Sequence, residues 1–407
     1  MNLAWNAYRG LAAVAGALAP AARFAIPGPE RETWSERLGE VPVGPVDAWI
    51  HAASLGEAVA ACALADALER RAPGARLHFT ATTRDGRERL AARGAASLAP
   101  LDSPQAAERF LARLQPRRVF LLETELWPHW LSSARRRGVP AAAISARLSP
   151  RSLRRLSWLG PDLRGLVANL EAVLCHGEGD RERWLALGAR PERTVVTGNL
   201  KLDALPARAT DVGARRLELG LDRDRPVLVL GSLRPGEARI LGETWAALDP
   251  RLRARWQVVA VPRHTRATAG LRAEVASRVD RETGDWRWED RSGALGDYYA
   301  IADAAFVGGS LVPFGGHNPL EPAACGLPVM MGPHTRAQQD SVEMLVRAGA
   351  LLRVEEGTLR ATLARLLGDG EERTRRGAAG RLAVDALRGV AVRAVERLVE
   401  WKLWPAS

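Results

Sequence analysis

The sequence predicts an α/β protein made of two Rossmann-like halves with an interdomain cleft between them. Two patterns carry this expectation. Short β-rich runs alternate with helical stretches, which implies βαβ units and parallel sheets. The alternation then halts at a polar stretch, residues 203–224, and restarts. A third observation permits the fold: 407 residues at 47% hydrophobic are enough to bury two cores and exclude disorder as the main state.

In the first half the expected strands are 48–54, 76–83, 117–124, 140–145, 171–177 and 193–198. Between them lie Ala- and Arg-rich segments with apolar residues three to four apart, such as 57–71 and 103–114. In the second half the strands are 225–232, 255–264, 302–310 and 327–333, with helices at 237–247 and 318–325. The expected organisation is a membrane-contacting segment (1–40), a first Rossmann-like domain (41–205), a linker (206–224) and a second such domain (225–385). A last helical piece (386–407) either crosses back to the first half or touches a membrane.

Composition narrows the function classes. Three scattered cysteines, with no CxxC, exclude a disulfide scaffold and suit a reducing compartment. The net charge of +11 allows nucleic acid, anionic lipid or phosphorylated substrates without choosing among them. Lys201 and Lys402 are the only lysines among 58 basic residues, which makes Lys201 informative. Near the N-terminus, the uncharged run Gly10–Ala22 is 13 residues long, short of the roughly 20 that a spanning helix needs. An interfacial helix bounded by Trp5, Tyr8 and Arg23 fits better, with a plain surface helix or a signal peptide as alternatives.

Three places in the first half could carry chemistry. In His51-Ala-Ala-Ser54-Leu-Gly56-Glu57, small residues turn the chain from a strand into a helix. Glu57 at that helix start could take a proton from a hydroxyl. Equally, Ser54 could cap the helix and Glu57 complete an S-x-x-E capping box. Glu123 and Glu125 follow the apolar strand VFLL, where acids are costly unless paired or used; one could instead cap the helix at Trp127-Pro128. Lys201, in GNLK after the last strand, suits a phosphate or carboxylate partner, with a solvated surface lysine as the plain alternative.

The second half offers anion-binding turns. Gly231-Ser232 ends its first strand ahead of a helix near Glu237, where free N–H groups would attract phosphate. Pro262-Arg263-His264 ends another strand, and Arg263 can clamp phosphate bidentately. Gly308-Gly309-Ser310 ends a third, before Gly315-Gly316-His317-Asn318-Pro319-Leu320-Glu321, where glycines again suggest a nest. Glu321 could accept hydrogen bonds from ribose hydroxyls. The absence of GxGxxG after the first strand disfavours a dinucleotide oxidoreductase, and neither a P-loop nor a GxSxG elbow occurs. Seven scattered histidines give no metal-ligand spacing, so neither metal nor cofactor is expected. Arg147, Arg151, Arg154 and Arg155 form the best basic patch, fit for lipid phosphates or simply solvated. Trp158 alone is too few aromatics for stacking nucleic acid bases.

Together the segments WIHAASLGE (49–57), ETELWP (123–128), SARLSPRS (145–152), TGNLK (197–201), VPRH (261–264), DRSGAL (290–295), ADAAFVGGSL (302–311), GGHNPLEP (315–322) and MGPHT (331–335) resemble the bacterial 3-deoxy-D-manno-octulosonic acid (Kdo) transferases of lipid A assembly, in the same order. The resemblance implies a GT-B glycosyltransferase on the cytoplasmic side of the cell inner membrane, held there by its N-terminal segment. It implies CMP-Kdo as donor and the tetraacylated disaccharide bisphosphate lipid IVA as acceptor. It places the general base on Glu57 and transition-state support on Glu123 and Lys201. Donor contacts fall on Pro262, Arg263, Ser292, Gly293, Ala294, Asn318, Pro319, Leu320 and Glu321, and the anion-binding turns add Ser232 and His317. The chain departs at Ala294, where many members carry a larger or acidic residue, so contact there would be through backbone. Acceptor phosphates would meet Arg147, Arg151, Arg154 and Arg155. The mechanism expected is inversion, with Arg263 and the helix starts after Gly231 and Gly316 stabilising the leaving phosphate. The alternatives are another GT-B transferase, using a UDP-sugar or ADP-heptose, and a basic membrane-associated binding protein.

Overall fold

The computed structural model describes residues 3–26, 28–276 and 286–405. It divides into two compact units, one of residues 1–204 with 389–407 and the other of residues 205–388.

The first unit holds a seven-stranded parallel sheet. Its strands are β1 (Ala48–Ala52), β2 (Leu77–Ala81), β3 (Ala96–Leu98), β4 (Val119–Leu122), β5 (Ala141–Ala146), β6 (Ala172–Cys175) and β7 (Thr194–Val196), in the order β3-β2-β1-β4-β5-β6-β7. Most of these strands are buried on both faces, as parallel strands sandwiched by helices must be. The order reverses between β1 and β4, and open parallel sheets bind ligands at the carboxyl ends of strands flanking such a reversal.

On one face helix Leu55–Arg71 packs against β1 and helix Val390–Glu400 packs on that helix, with Leu64, Leu68, Val395 and Leu398 buried together. Asp203 fixes the returning segment by accepting N–H bonds from Gly389 and Ala391, and Trp404 Nε1 donates to the Leu68 carbonyl at 3.0 Å. The other face is covered by the helices Pro104–Leu114 and Pro128–Arg136. The N-terminal helix Leu3–Ala22 lies on Pro104–Leu114, with Trp5 and Ala19 buried. Gly16 makes that approach possible, because a Cβ there would come within 2.5 Å of Ser103. Its other side leaves Leu3, Leu11, Val14 and Leu18 exposed. Among the described residues no helix is long and apolar enough to cross a membrane.

The second unit repeats the plan with six parallel strands: β8 (Val227–Leu233), β9 (Gln257–Pro262), β10 (Arg287–Trp288), β11 (Ala304–Val307), β12 (Val329–Met331) and β13 (Leu351–Arg353), ordered β10-β9-β8-β11-β12-β13. Here the reversal falls between β8 and β11. Residues 206–224, expected as a linker, are folded into this unit. They form the helix Val212–Glu218, bury Leu219 and Leu221 in the core, and send the Arg216 guanidinium to Asp303 and the Ile301 carbonyl. Their polar composition hid two core leucines and a buried, fully employed arginine.

Candidate active site

In the first unit the reversal point gathers four charged side chains. Helix Leu55–Arg71 starts immediately after β1, and Ser54 is its N-cap, accepting the Glu57 N–H at 3.4 Å. The Glu57 carboxylate accepts the Ala53 N–H at 2.8 Å and the Ser54 hydroxyl at 3.0 Å. Capping is therefore present, but the carboxylate reaches one residue behind the cap. It is also partly buried, and burial together with the neighbouring charges of Glu123 and Glu125 pushes its pKa above the ordinary range.

Glu123 follows β4 with φ of 57°, a left-handed conformation that is strained for a residue with a side chain. Its carboxylate is bonded to the Lys201 ammonium. Lys201 sits in a 3-10 turn, Leu200–Leu202, held by Asn199 and by the Ser145 hydroxyl, which accepts the Leu200 N–H at 3.1 Å. Ser145 also has a positive φ, 51°, where β5 shifts register against β6. Ser145 is a supporting residue that sequence reasoning missed, although it begins the SARLSPRS motif. Glu125 faces the buried His51 and the Trp127 indole. Arg147, Arg151, Arg154 and Arg155 are all exposed and, among the described residues, make no ion pairs.

In the second unit a cavity of about 880 Å³ opens beside the ends of β8 and β9. Of the eleven residues expected at the donor, Ser232, Pro262, Arg263, Ser292, Gly293, His317, Asn318 and Glu321 line it. Ala294, Pro319 and Leu320 do not; Ala294 and Leu320 are buried behind it. Ser232 occupies a bulge in β8 with φ of 56°. The lining carries Arg263, Arg266 and Arg291; Arg291 is paired with Glu289, while Arg263 and Arg266 make no ion pair among the described residues. His317 is pushed down to about 4 by burial and by Arg263, Arg234 and His264, which makes it neutral. Glu321 accepts the Asn318 amide at 3.1 Å, and burial raises its pKa.

Two expected phosphate nests are filled by the protein itself. The buried Glu237 carboxylate accepts the N–H groups of Gly309, Ser310 and Leu311 at 2.7, 2.9 and 3.0 Å, and that of Arg234 at 2.9 Å. Glu274 takes the N–H groups of Gly236 and Arg239 at the start of helix Glu237–Ala246. After Gly316 the helix is only Leu320–Ala324, and Asn318 Oδ1 already accepts the Leu320 N–H. The helix starts after Gly231 and Gly316 therefore have little capacity left for a phosphate, and Arg263 is the better placed cation. Glu237 is 72 residues from Gly309, so this occupancy leaves no local sequence signal. Among the described residues no cluster of three or more His, Cys, Asp or Glu is placed to hold a metal ion.

Two such parallel sheets, each with a candidate site at its reversal point, mark a GT-B glycosyltransferase fold. Solved structures agree: a UDP-GlcNAc 2-epimerase from Neisseria meningitidis aligns with TM-score 0.58 at 14% identity, covering 88% of this chain and 100% of its own. A glycosyltransferase from Rickettsia africae aligns with TM-score 0.57 at 12% identity, covering 89% and 98%. The particular family follows from sequence. Residues 32–204 match the family described as 3-deoxy-D-manno-octulosonic-acid transferase (kdotransferase). Proteins named 3-deoxy-D-manno-octulosonic acid transferase are 39% identical in Bordetella pertussis, over 87% of both chains, and 32% identical in Haemophilus influenzae, over 88% of this chain and 86% of that one. The chain belongs to this family of Kdo transferases.

Proposed function

We propose that the protein transfers Kdo from CMP-Kdo to a lipid A precursor, lipid IVA, with inversion at the anomeric carbon and Glu57 as general base. The observation that carries this reading is the Glu57 carboxylate, aimed by the Ala53 N–H and Ser54 hydroxyl and made more basic by burial and two neighbouring acids. A base with a raised pKa takes a proton more readily from the acceptor hydroxyl, whose oxygen then attacks the anomeric carbon as CMP departs. The Glu123–Lys201 pair offers a fixed cation for the Kdo carboxylate or for charge developing in the transition state. The second unit binds the donor: Arg263 meets its phosphate, and Asn318 and Glu321 face its ribose. CMP leaves with a single phosphate, for which Arg263 is a counter-charge.

Acceptor phosphates fit the unpaired Arg147, Arg151, Arg154 and Arg155. The exposed Leu3, Leu11, Val14 and Leu18, with Arg9 and Arg23 on the same segment, suit contact with the cytoplasmic surface of the inner membrane. The test is CMP release from CMP-Kdo with and without lipid IVA in detergent, followed by mass spectrometry of the lipid. The wild type should add Kdo, and Glu57→Gln should lose about 10²–10⁴-fold in turnover while still binding CMP. Near-normal transfer by Glu57→Gln would remove the base assignment.

A further inference from the structure

Glu237 does not line the donor cavity, yet its hydrogen bonds lead to it. The side chain is fully buried, and each of its hydrogen bonds among the described residues comes from a backbone N–H. Oε2 accepts from Arg234 at 2.9 Å and from Gly309 at 2.7 Å. Oε1 accepts from Ser310 at 2.9 Å and from Leu311 at 3.0 Å. Arg234 follows β8 and Gly309 follows β11, so one carboxylate bridges the two strands that flank the reversal point. The turn it holds is bonded onward. The Gly309 carbonyl accepts the Gly316 N–H at 2.7 Å, and the Gly308 carbonyl accepts the His317 N–H at 3.1 Å. His317 and the next residue, Asn318, stand in the cavity wall. There is no slack in this arrangement: a Cβ on Gly308 would lie 2.5 Å from the Ser232 carbonyl oxygen and 2.8 Å from Glu237 Oε2.

We propose that Glu237 is a positioning residue for the donor, fixing the turn at Gly309 whose carbonyls hold Gly316 and His317, and so setting His317 and Asn318 in the cavity wall. The inference rests on the reading that this cavity binds the CMP of the donor. Two buried hydrogen bonds separate the carboxylate from the wall, through a backbone and not through a flexible side chain. Ser310 has a second anchor, because its hydroxyl accepts the Gly332 N–H at 2.9 Å. The Gly309 N–H has Glu237 as its partner, and the Gly309 carbonyl is the one that holds Gly316. An unmet N–H at Gly309 would therefore loosen the segment that carries the donor contacts, and leave the groups of the first unit untouched.

The test measures CMP binding by calorimetry and donor kinetics by CMP release for wild type, Glu237→Gln and Leu363→Ala, with a urea titration of each. Glutamine keeps the shape, but its amide nitrogen cannot accept, so one pair of N–H groups loses its partner. Glu237→Gln should bind CMP about 10-fold more weakly and raise KM for CMP-Kdo by a similar factor, with kcat within about twofold of wild type. Leu363 is buried in the core of the same unit, on helix Glu356–Gly368 and outside the cavity wall. Leu363→Ala should lower stability through a core void while leaving CMP affinity and KM unmoved. A folded Glu237→Gln with unchanged CMP affinity and KM overturns the proposal. So does an equal loss of CMP affinity in Leu363→Ala, which would reduce the effect to stability. If Glu237→Gln does not fold, Glu237→Asp withdraws both oxygens by a methylene and should raise KM the same way; an unmoved KM there overturns the proposal equally. A wild type that binds no CMP removes the donor reading and this inference with it. A wild type that binds CMP, beside an unmoved Glu237→Gln, fails this inference alone.

Discussion

Gly231 is the residue on which the donor-side turn depends most. A Cβ there would lie 2.1 Å from the hydroxyl of Tyr299, which is itself buried against the sheet. Neither side can yield, because Gly231 is paired in register with Val307 and Val261. Gly231→Ala should therefore cost about 1–3 kcal/mol in urea unfolding, the usual range for an overpacked core. Combining it with Tyr299→Phe, which removes the nearest atom, should recover part of that loss; strict additivity in the double-mutant cycle would contradict the clash. Glu57, Glu123 and Lys201 were visible as acids and a rare lysine at expected strand ends. Ser145, which holds the Lys201 turn, was not, because it acts where the strand register shifts; nor was Glu237 in the second unit, whose N–H partners lie far along the chain.

Among the elements, the long strands and amphipathic helices were legible because their apolar period is sustained. The strands β3, β10 and β13 were not: they hold no β-branched residue, whereas the equally short β7 and β12 carry Val. The attachment of the N-terminal helix was equally hidden. Tyr8 donates its hydroxyl to Asp102, and Asp102 also accepts the N–H groups of His129 and Trp130 at the start of helix Pro128–Arg136. One carboxylate thus ties the N-terminal helix to the element that follows the Glu123–Trp127 loop. Burial raises Asp102 to about 6 from an ordinary value near 3.8. For an acid whose folded pKa is raised, the stabilising contribution is fully present below the unfolded value and is lost as pH rises through the folded one. Asp102→Asn does not titrate there. Its stability relative to wild type should therefore increase by on the order of 2 kcal/mol between pH 4 and pH 7. Urea denaturation of both proteins at the two pH values checks this, and a pH-independent difference would mean that Asp102 has no raised pKa in the folded state.

For the whole molecule, the twofold repetition of a βαβ pattern was legible, but the division of the chain was not fully so. Nothing local distinguishes residues 206–224 from a linker until their leucines find a core. The last residues raise a sharper question, because their amphipathic pattern suits either a core or a membrane. In the structure Val390, Ala394, Val395, Leu398, Leu403 and Trp404 are buried in the first unit, and Gly389, with φ of 80°, marks where the chain turns into that helix. Fully burying one large apolar side chain is worth about 1.5–3 kcal/mol. Four or five of them rival the roughly 5–15 kcal/mol of net stability of a typical domain. The two units should therefore respond differently to being cut apart. A fragment of residues 205–388 retains its whole sheet, its core and its cavity, and should unfold cooperatively and bind CMP. Residues 1–204 alone would expose Leu64, Leu68 and Phe120, and should be unfolded or aggregated. Fusing 389–407 back through a flexible linker should restore cooperative unfolding, measured by circular dichroism and urea titration. A fragment 1–204 as stable as the fused one would show that the returning helix merely covers a unit already complete.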